Sequence, residues 1–224
     1  VVYPHGSAAR RPGTNFVAEV KDSTKKTRLI PFEFSTTQTY MLEFGNQYIR
    51  FYKDNGQILS GGSAYEISTP YLEAELFDLK FAQSADVMYI CHPNHEVEKL
   101  SRTGHTSWSL TDVDFTNGPF LDANTTGTTL TPSNAATGSR TITASAVTGI
   151  NGGSGFLATD VGRQIHFNDG YGVITAVGST TSITVNVTTA FANANAITNW
   201  YLGAFSDTTG HPSCVTFFEQ RLVF

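Results

Sequence analysis

Short runs of alternating apolar and polar residues, each closed by Gly, Pro, Asn or Asp, recur along this chain, and the 3.6-residue helical period is almost absent. That pattern commits the chain to many short antiparallel strands joined by tight turns, an all-β fold. In "RLIPFEFS", Leu29, Phe32 and Phe34 are the apolar markers, and Pro31 points to a strand start or a sheet edge. In "TYMLEF", Tyr40, Leu42 and Phe44 share one face, and Gly45-Asn46 turns the chain. In "YIRFY", Ile49 and Phe51 oppose Tyr48, Arg50 and Tyr52, and Asp54-Asn55-Gly56 supplies the next turn. The result is a β-meander. One helix is expected, in "STPYLEAELFDL": Thr69 caps it, Pro70 takes its first position, Glu73 and Glu75 sit at its start, and Leu72 and Leu76 face the body. The strand "VMYI" follows at 87–90.

The composition then shifts. Residues 121–200 contain no Lys and only Arg140 and Arg163 as cations, and they are dense in Thr, Gly, Ala, Asn and Val. Six short strands are expected there, in "TTLTP", "RTITASAV", "RQIHF", "YGVITAVG", "SITVNVTT" and "TNWYLGAF". They predict a small antiparallel sandwich or barrel at 121–202, inserted into a β-rich body of residues 1–120 and 203–224. A weak internal echo links "LKFAQSADVMYI" (79–90) to "VTFFEQRLVF" (215–224), each an aromatic strand, a polar turn and an apolar strand. Two such hairpins suit neighbouring blades of a propeller-like body. In "CVTFFEQRLVF", Val215, Phe217 and Leu222 read as the buried side of a half-buried strand, and "VVYPHG" begins on an apolar stretch without Met. Both ends predict a piece of a longer polypeptide.

Composition narrows the function. Hydrophobic residues at 40% supply a core, while 15% charge is low and suits extracellular or virion β-proteins. A net charge of −5 argues against a nucleic-acid-binding domain. No apolar run reaches the ~18 residues a membrane span needs. Cys91 and Cys214 are two thiols in 224 residues, which is no disulfide scaffold, and buried free thiols are expected.

Few residues suggest chemistry. "GGSGF" (152–156) precedes a strand, so it offers no helix dipole for phosphate and reads as a turn. Cys91, His92 and His95 lie close together, but Pro93 interrupts the spacing and no second ligand cluster completes a metal site. Asp112 and Asp114 would share a strand face as a glycosidase pair could, against the commoner reading of solvated acids. "NTT" (124–126) and "NVT" (186–188) fit the glycosylation pattern. Arg10 and Arg11 precede Pro12-Gly13, and Lys21, Lys25, Lys26 and Arg28 flank a hairpin tip. Solvated turns are the simple reading, and an assembly surface at Arg10, Arg11, Lys25, Lys26 and Arg28 is the alternative.

Several long peptides carry a resemblance. "ARRPGTNFVAEVKDSTKKTRLIPFEFSTTQTYMLEFGNQYIRFYKDNGQI", "STPYLEAELFDLKFAQSADVMYICHP", "LSRTGHTSWSL" and "GHPSCVTFFEQRLVF" occur in order. They resemble the tail nozzle, or tail tubular protein B-like, components of short-tailed phages and prophages. The match spans residues 5–120 and 203–224, and 121–202 resembles an insertion present in some members. The resemblance implies a longer chain on both sides, a propeller-like body and a ring around the tail axis. It implies a structural role in the virion tail, with no catalytic residue and no cofactor. The implied partners are copies of itself, adjacent tail proteins and DNA passing through the lumen without sequence-specific binding, and no membrane. Two rivals stand beside it. In one, 121–202 is a carbohydrate-binding or host-attachment module, with Trp200, Tyr171 and Tyr201 stacking on sugars, although alternation in "TNWYLGAF" favours Trp200 as core. In the other, the chain is a cell-wall hydrolase acting through Asp112 and Asp114.

Overall fold

The computed structural model describes Pro4, Gly6, Arg10 and residues 13–35 and 38–224. The protein is nearly all β, with 49% of residues in strands and 3% in helix. It divides into two compact units, one of residues 1–77 with 102–108, the other of 78–101 with 109–224.

In the first unit, β1 (Arg28–Ser35), β2 (Gln38–Gly45) and β3 (Tyr48–Lys53) form the expected antiparallel meander. The short strands β4 (Gly56–Gln57) and β7 (Glu66–Ser68) extend it along β3, and β5 (Leu59–Ser60) pairs with β6 (Ser63–Ala64). Period-2 alternation sends Ile30, Phe32, Tyr40, Leu42, Phe44, Ile49 and Phe51 inward. Asp54 and Asn55 both take positive φ, 52° and 60°, as a two-residue hairpin turn requires. Pro31 lies on β1, the edge of the sheet, as expected of a proline within a strand. Trp108 closes this core, its ring 4.8 Å from Phe32, 5.3 Å from Tyr40 and 4.4 Å from Phe51.

The expected helix at 70–78 does not form. Residues 73–78 are hydrogen-bonded turns. Leu72 N–H donates to the Glu75 carboxylate at 2.9 Å and Glu73 N–H donates to Asn46 Oδ1 at 3.0 Å, contacts of the kind that cap a helix start, yet the backbone goes no further than turns. Leu76 is buried as expected, but Leu72 is exposed.

The second unit begins with β8 (Lys80–Ser84), β9 (Val87–His92), β10 (His95–Gly104) and β11 (Ser107–Asp112), a consecutive four-stranded antiparallel meander. The tip of its last hairpin, residues 102–108, belongs to the first unit. Next come β12 (Leu130–Pro132), β13 (Gly138–Ala144), β14 (Gln164–Phe167), β15 (Gly170–Ser179), β16 (Ser182–Thr189) and β17 (Trp200–Leu202). All six expected strands are present, but in place of a sandwich or closed barrel they make one curled, half-barrel sheet in the order β12-β13-β16-β15-β14-β17. Its inner face buries Ile142, Ile165, Phe167, Ile174, Ile183, Val185, Trp200 and Leu202, and loop residues Ile150, Phe156 and Phe191 join that core. Loops fill the role of a second sheet. Phe191 stacks on Phe167 at 4.2 Å. "GGSGF" is a tight turn in which Gly155 (φ 77°) leaves no space for a Cβ, which would stand 2.5 Å from Thr180 O.

The chain enters and leaves this sheet side by side. Leu121 N–H donates to Leu202 O and Asn124 N–H to Trp200 O, both at 2.9 Å, and Ala204 N–H donates to Pro119 O at 2.9 Å. Asn124 Nδ2 ties the neck further, donating to the carbonyls of Thr126, Thr128 and Thr198. The last elements are β18 (Thr216–Phe218) and β19 (Arg221–Val223), a hairpin turned by Glu219 and Gln220 at positive φ. Both hairpins of the internal echo therefore exist. Val215 and Leu222 are half-buried, whereas Phe217, expected on the buried side, is exposed because one partner strand cannot cover a face.

Candidate functional site

Among the described residues, a surface on each unit brings chemistry-bearing residues together. On the second, a cleft of about 270 Å³ is floored by Gln164 and Val173 from the outer face of β14 and β15. Phe115 and Phe205 form an aromatic wall, their rings 5.3 Å apart, and Glu96, Asp114 and His211 bring charge. Gln164 shapes the rim: its Nε2 donates to Phe115 O, and its Oε1 accepts the Gly118 N–H at 2.7 Å. His211 Nε2 pairs with Asp207 Oδ1 at 3.0 Å.

Asp112 and Asp114 do not share a strand face, because β11 ends at Asp112 and Val113 N–H pairs with Val97 O. Both acids are exposed. They act on Glu96, which sequence reasoning missed. Glu96 is open to solvent at the mouth of the cleft, yet partial desolvation by the walls raises its pKa most, followed by repulsion from Asp112, Asp207 and Asp114, with His211 opposing. The sign makes its contribution to stability fullest below the ordinary carboxylate range and lost as pH rises through the raised value. Asp112→Asn should move the Glu96 titration down toward the ordinary range, followed by carboxyl NMR. An ordinary Glu96 pKa in the unsubstituted protein would defeat this account.

The other residues singled out from sequence lie elsewhere. His92 is buried and His95 half-buried, with ring centroids 5.2 Å apart. His92 Nδ1 accepts the Asn94 N–H at 3.2 Å, which orders the turn between β9 and β10. Cys91 is a buried free thiol, pushed up to about 12 by burial and secondarily by Cys214. Cys214 is also free but exposed, against expectation, because it precedes the thinly covered last hairpin. Trp200 is core and donates Nε1–H to Thr128 O at 2.9 Å, while Tyr171 and Tyr201 are half-buried on the opposite face.

The second surface is on the first unit. A groove of about 540 Å³ runs over the outer face of β1 to β3, lined by Val17, Val20, Leu29, Pro31, Met41 and Tyr52 among others. Leu29 is 58% exposed, and Val17 and Met41 of the same groove are also exposed. Beneath the groove lies Glu43, buried, accepting a hydrogen bond from Tyr48 OH at 2.5 Å and another from Tyr52 OH. Lys21 and Arg50 flank the Tyr48 ring and both pair with Glu66.

Of the basic residues, Arg10, Lys25 and Lys26 are exposed. Arg28 is held within the unit, donating Nη1–H to Leu76 O at 2.8 Å, and Arg11 lies outside the described residues. Asp22 folds the Lys25–Lys26 tip by accepting the Thr24 N–H and hydroxyl, which hold its carboxyl below its usual pKa.

No protein-family model matches the chain, and no curated protein is significantly similar to it.

Proposed function

We propose that this protein is a structural component of a phage or prophage tail, a nozzle or tail-tube subunit that helps to wall the DNA-ejection conduit. The observation that carries the reading is the exposed apolar outer face of β1 to β3, with Leu29, Met41 and Val17 uncovered around one groove. Contiguous apolar surface of this kind marks a contact with another protein. The ordered peptides that resemble nozzle proteins say which kind of assembly.

The edge of this sheet favours contact through its face. Strand β1 carries Pro31 and an irregularity in register between Glu33 and Ser35, both of which disfavour pairing with another strand. A rigid β-wall, repeated by rotation, closes into a ring in which one contact is used many times. The net charge of −5 suits a conduit, since a like-charged wall lets DNA pass without holding it. The exposed Lys25–Lys26 tip is then an ion-pairing contact at the rim with a neighbouring copy or tail protein.

Negative-stain electron microscopy of the protein across concentration tests this. Rings with a central channel are expected, and Leu29→Asp with Met41→Asp should return them to single subunits while leaving circular dichroism unchanged. Single subunits at every concentration, with no binding to purified tails, would remove the proposal.

A further inference from the structure

The outer face of the six-stranded sheet is not uniform. Over β13 and β16 it presents Ser139, Thr141, Thr184 and Asn186, the neutral polar side chains expected on a solvated face. Toward its β17 edge it turns aromatic. His166 of β14 stands in register with Tyr201 of β17 on one side and Tyr171 of β15 on the other. Phe120 lies against the first two, 5.4 Å from His166 and 6.3 Å from Tyr201, and His166 is 5.6 Å from Tyr201. All four rings are half-buried. None is needed by the core, which is filled from the opposite face by Ile165, Phe167, Trp200 and Leu202.

Two residues along β14 from His166, Gln164 floors the cleft that holds Glu96, Asp114, Phe115 and Phe205. Row and cleft are thus adjoining parts of one face. Aromatic faces beside a few carboxylate and amide groups are suited to a ligand with apolar C–H faces and a rim of hydroxyls. The charge excludes a polyanion. Both Arg side chains of residues 121–200 are engaged internally, Arg163 with Asp160 and Arg140 with the carbonyls of Ala136, Thr137 and Ser139. The cleft adds carboxylates. The rings are inclined to one another by 46° to 61°, so the row is notched rather than flat and fits a twisted, soluble chain better than a crystalline surface.

We propose that Phe120, His166 and Tyr201, with Glu96 and Asp114 of the adjoining cleft, bind a neutral pyranose-based glycan, its sugar faces on the rings and its hydroxyls on the carboxylates. These residues belong to the second unit and the assembly face to the first, and the proposal does not rest on that face.

The test is calorimetric titration of the intact protein with neutral malto-, cello- and manno-oligosaccharides, and with alginate and hyaluronan as anionic controls. At least one neutral series should bind and the anionic chains should not. Tyr201→Ala and Phe120→Ala should each weaken binding tenfold or more, while Thr141→Ala on the same face leaves it unchanged. No neutral binding, equal binding of anionic chains, or binding indifferent to the ring substitutions would overturn the proposal. If a ring variant fails to fold, amide shifts in the unsubstituted protein decide. Ligand-induced shifts centred on 120, 166 and 201 support the site, and shifts elsewhere or none remove it.

Discussion

Arg163→Ala is expected to cost the second unit about 3–5 kcal/mol, the usual penalty for breaking a buried ion pair. Arg163 is 1% exposed and Asp160 fully buried. The guanidinium donates Nη1–H to Asp160 Oδ1 at 2.9 Å and to Asn151 Oδ1 at 2.8 Å, and Nε–H to Gly203 O at 2.7 Å. Asp160 Oδ2 also accepts from Asn151 Nδ2 and Leu157 N–H. Burial lowers the Arg163 pKa, and the charge and hydrogen bond of Asp160 oppose that shift. Without the cation, Asp160 is a fully buried charge left with only the neutral donors Asn151 Nδ2 and Leu157 N–H. The loss is a large share of a typical domain's 5–15 kcal/mol. Asp160→Leu with Arg163→Met should cost less than the sum of the single changes, because neither charge is then stranded. Trp200 reports on this unit and Trp108 on the other, so urea unfolding of a Trp108→Phe background isolates the effect. An Arg163→Ala midpoint equal to that of the parent would show the pair to be dispensable.

Glu43→Ala is the second large effect, about 3 kcal/mol or more in the first unit. It removes the acceptor of both the Tyr48 and the Tyr52 O–H, each a charge-assisted bond worth roughly 1.5–3 kcal/mol, while Tyr52 still accepts from Gln57 Nε2. The same cluster makes stability fall at high pH. Burial first, then the hydrogen bond to Glu43 and its charge, push Tyr52 up to about 12, and Tyr48 is raised for the same reasons. A raised folded-state pKa means that the contribution is complete below the ordinary tyrosine value of 10.0 and is lost as pH climbs through the folded one. Tyrosinate absorbance should show a late-titrating class. Glu43→Gln should bring that class part of the way back, since burial remains. If every tyrosine titrates near its ordinary value, the cluster does not exist in solution.

What could be read from the sequence was local. The six strands of the second unit's sheet were legible because alternation is a property of neighbours, and "DNG" announced its turn through residues that tolerate positive φ. The helix expected in "STPYLEAELFDL" ends as turns at 73–78, and its Glu73 N–H meets Asn46, 27 residues earlier, a partner outside any local window. The aromatic row was half legible, in Tyr171 and Tyr201. His166 joins them through register, and Phe120 through a bridge to Gly203 on the far side of the insertion. Glu96 gave no signal at all, since its environment is made by Asp112, Asp207 and His211 from distant segments. Arg163 stood out as one of two cations in eighty residues, but nothing nearby said that it would be buried.

The neck at 119–124 and 198–204 bears on how such a chain can change over time. Closing a loop grows costlier with the number of flexible residues inside it, yet only as a logarithm, and a folded interior removes most of those residues from the count. To the strands on either side, the 73 residues beyond the neck, 125–197, therefore weigh little more than a tight turn, because their two ends are already zipped together. A segment joined in this way can be lengthened, shortened or exchanged for an unrelated one while the flanking strands keep their register. The sheet beyond the neck can then vary at little risk to the strands that carry it.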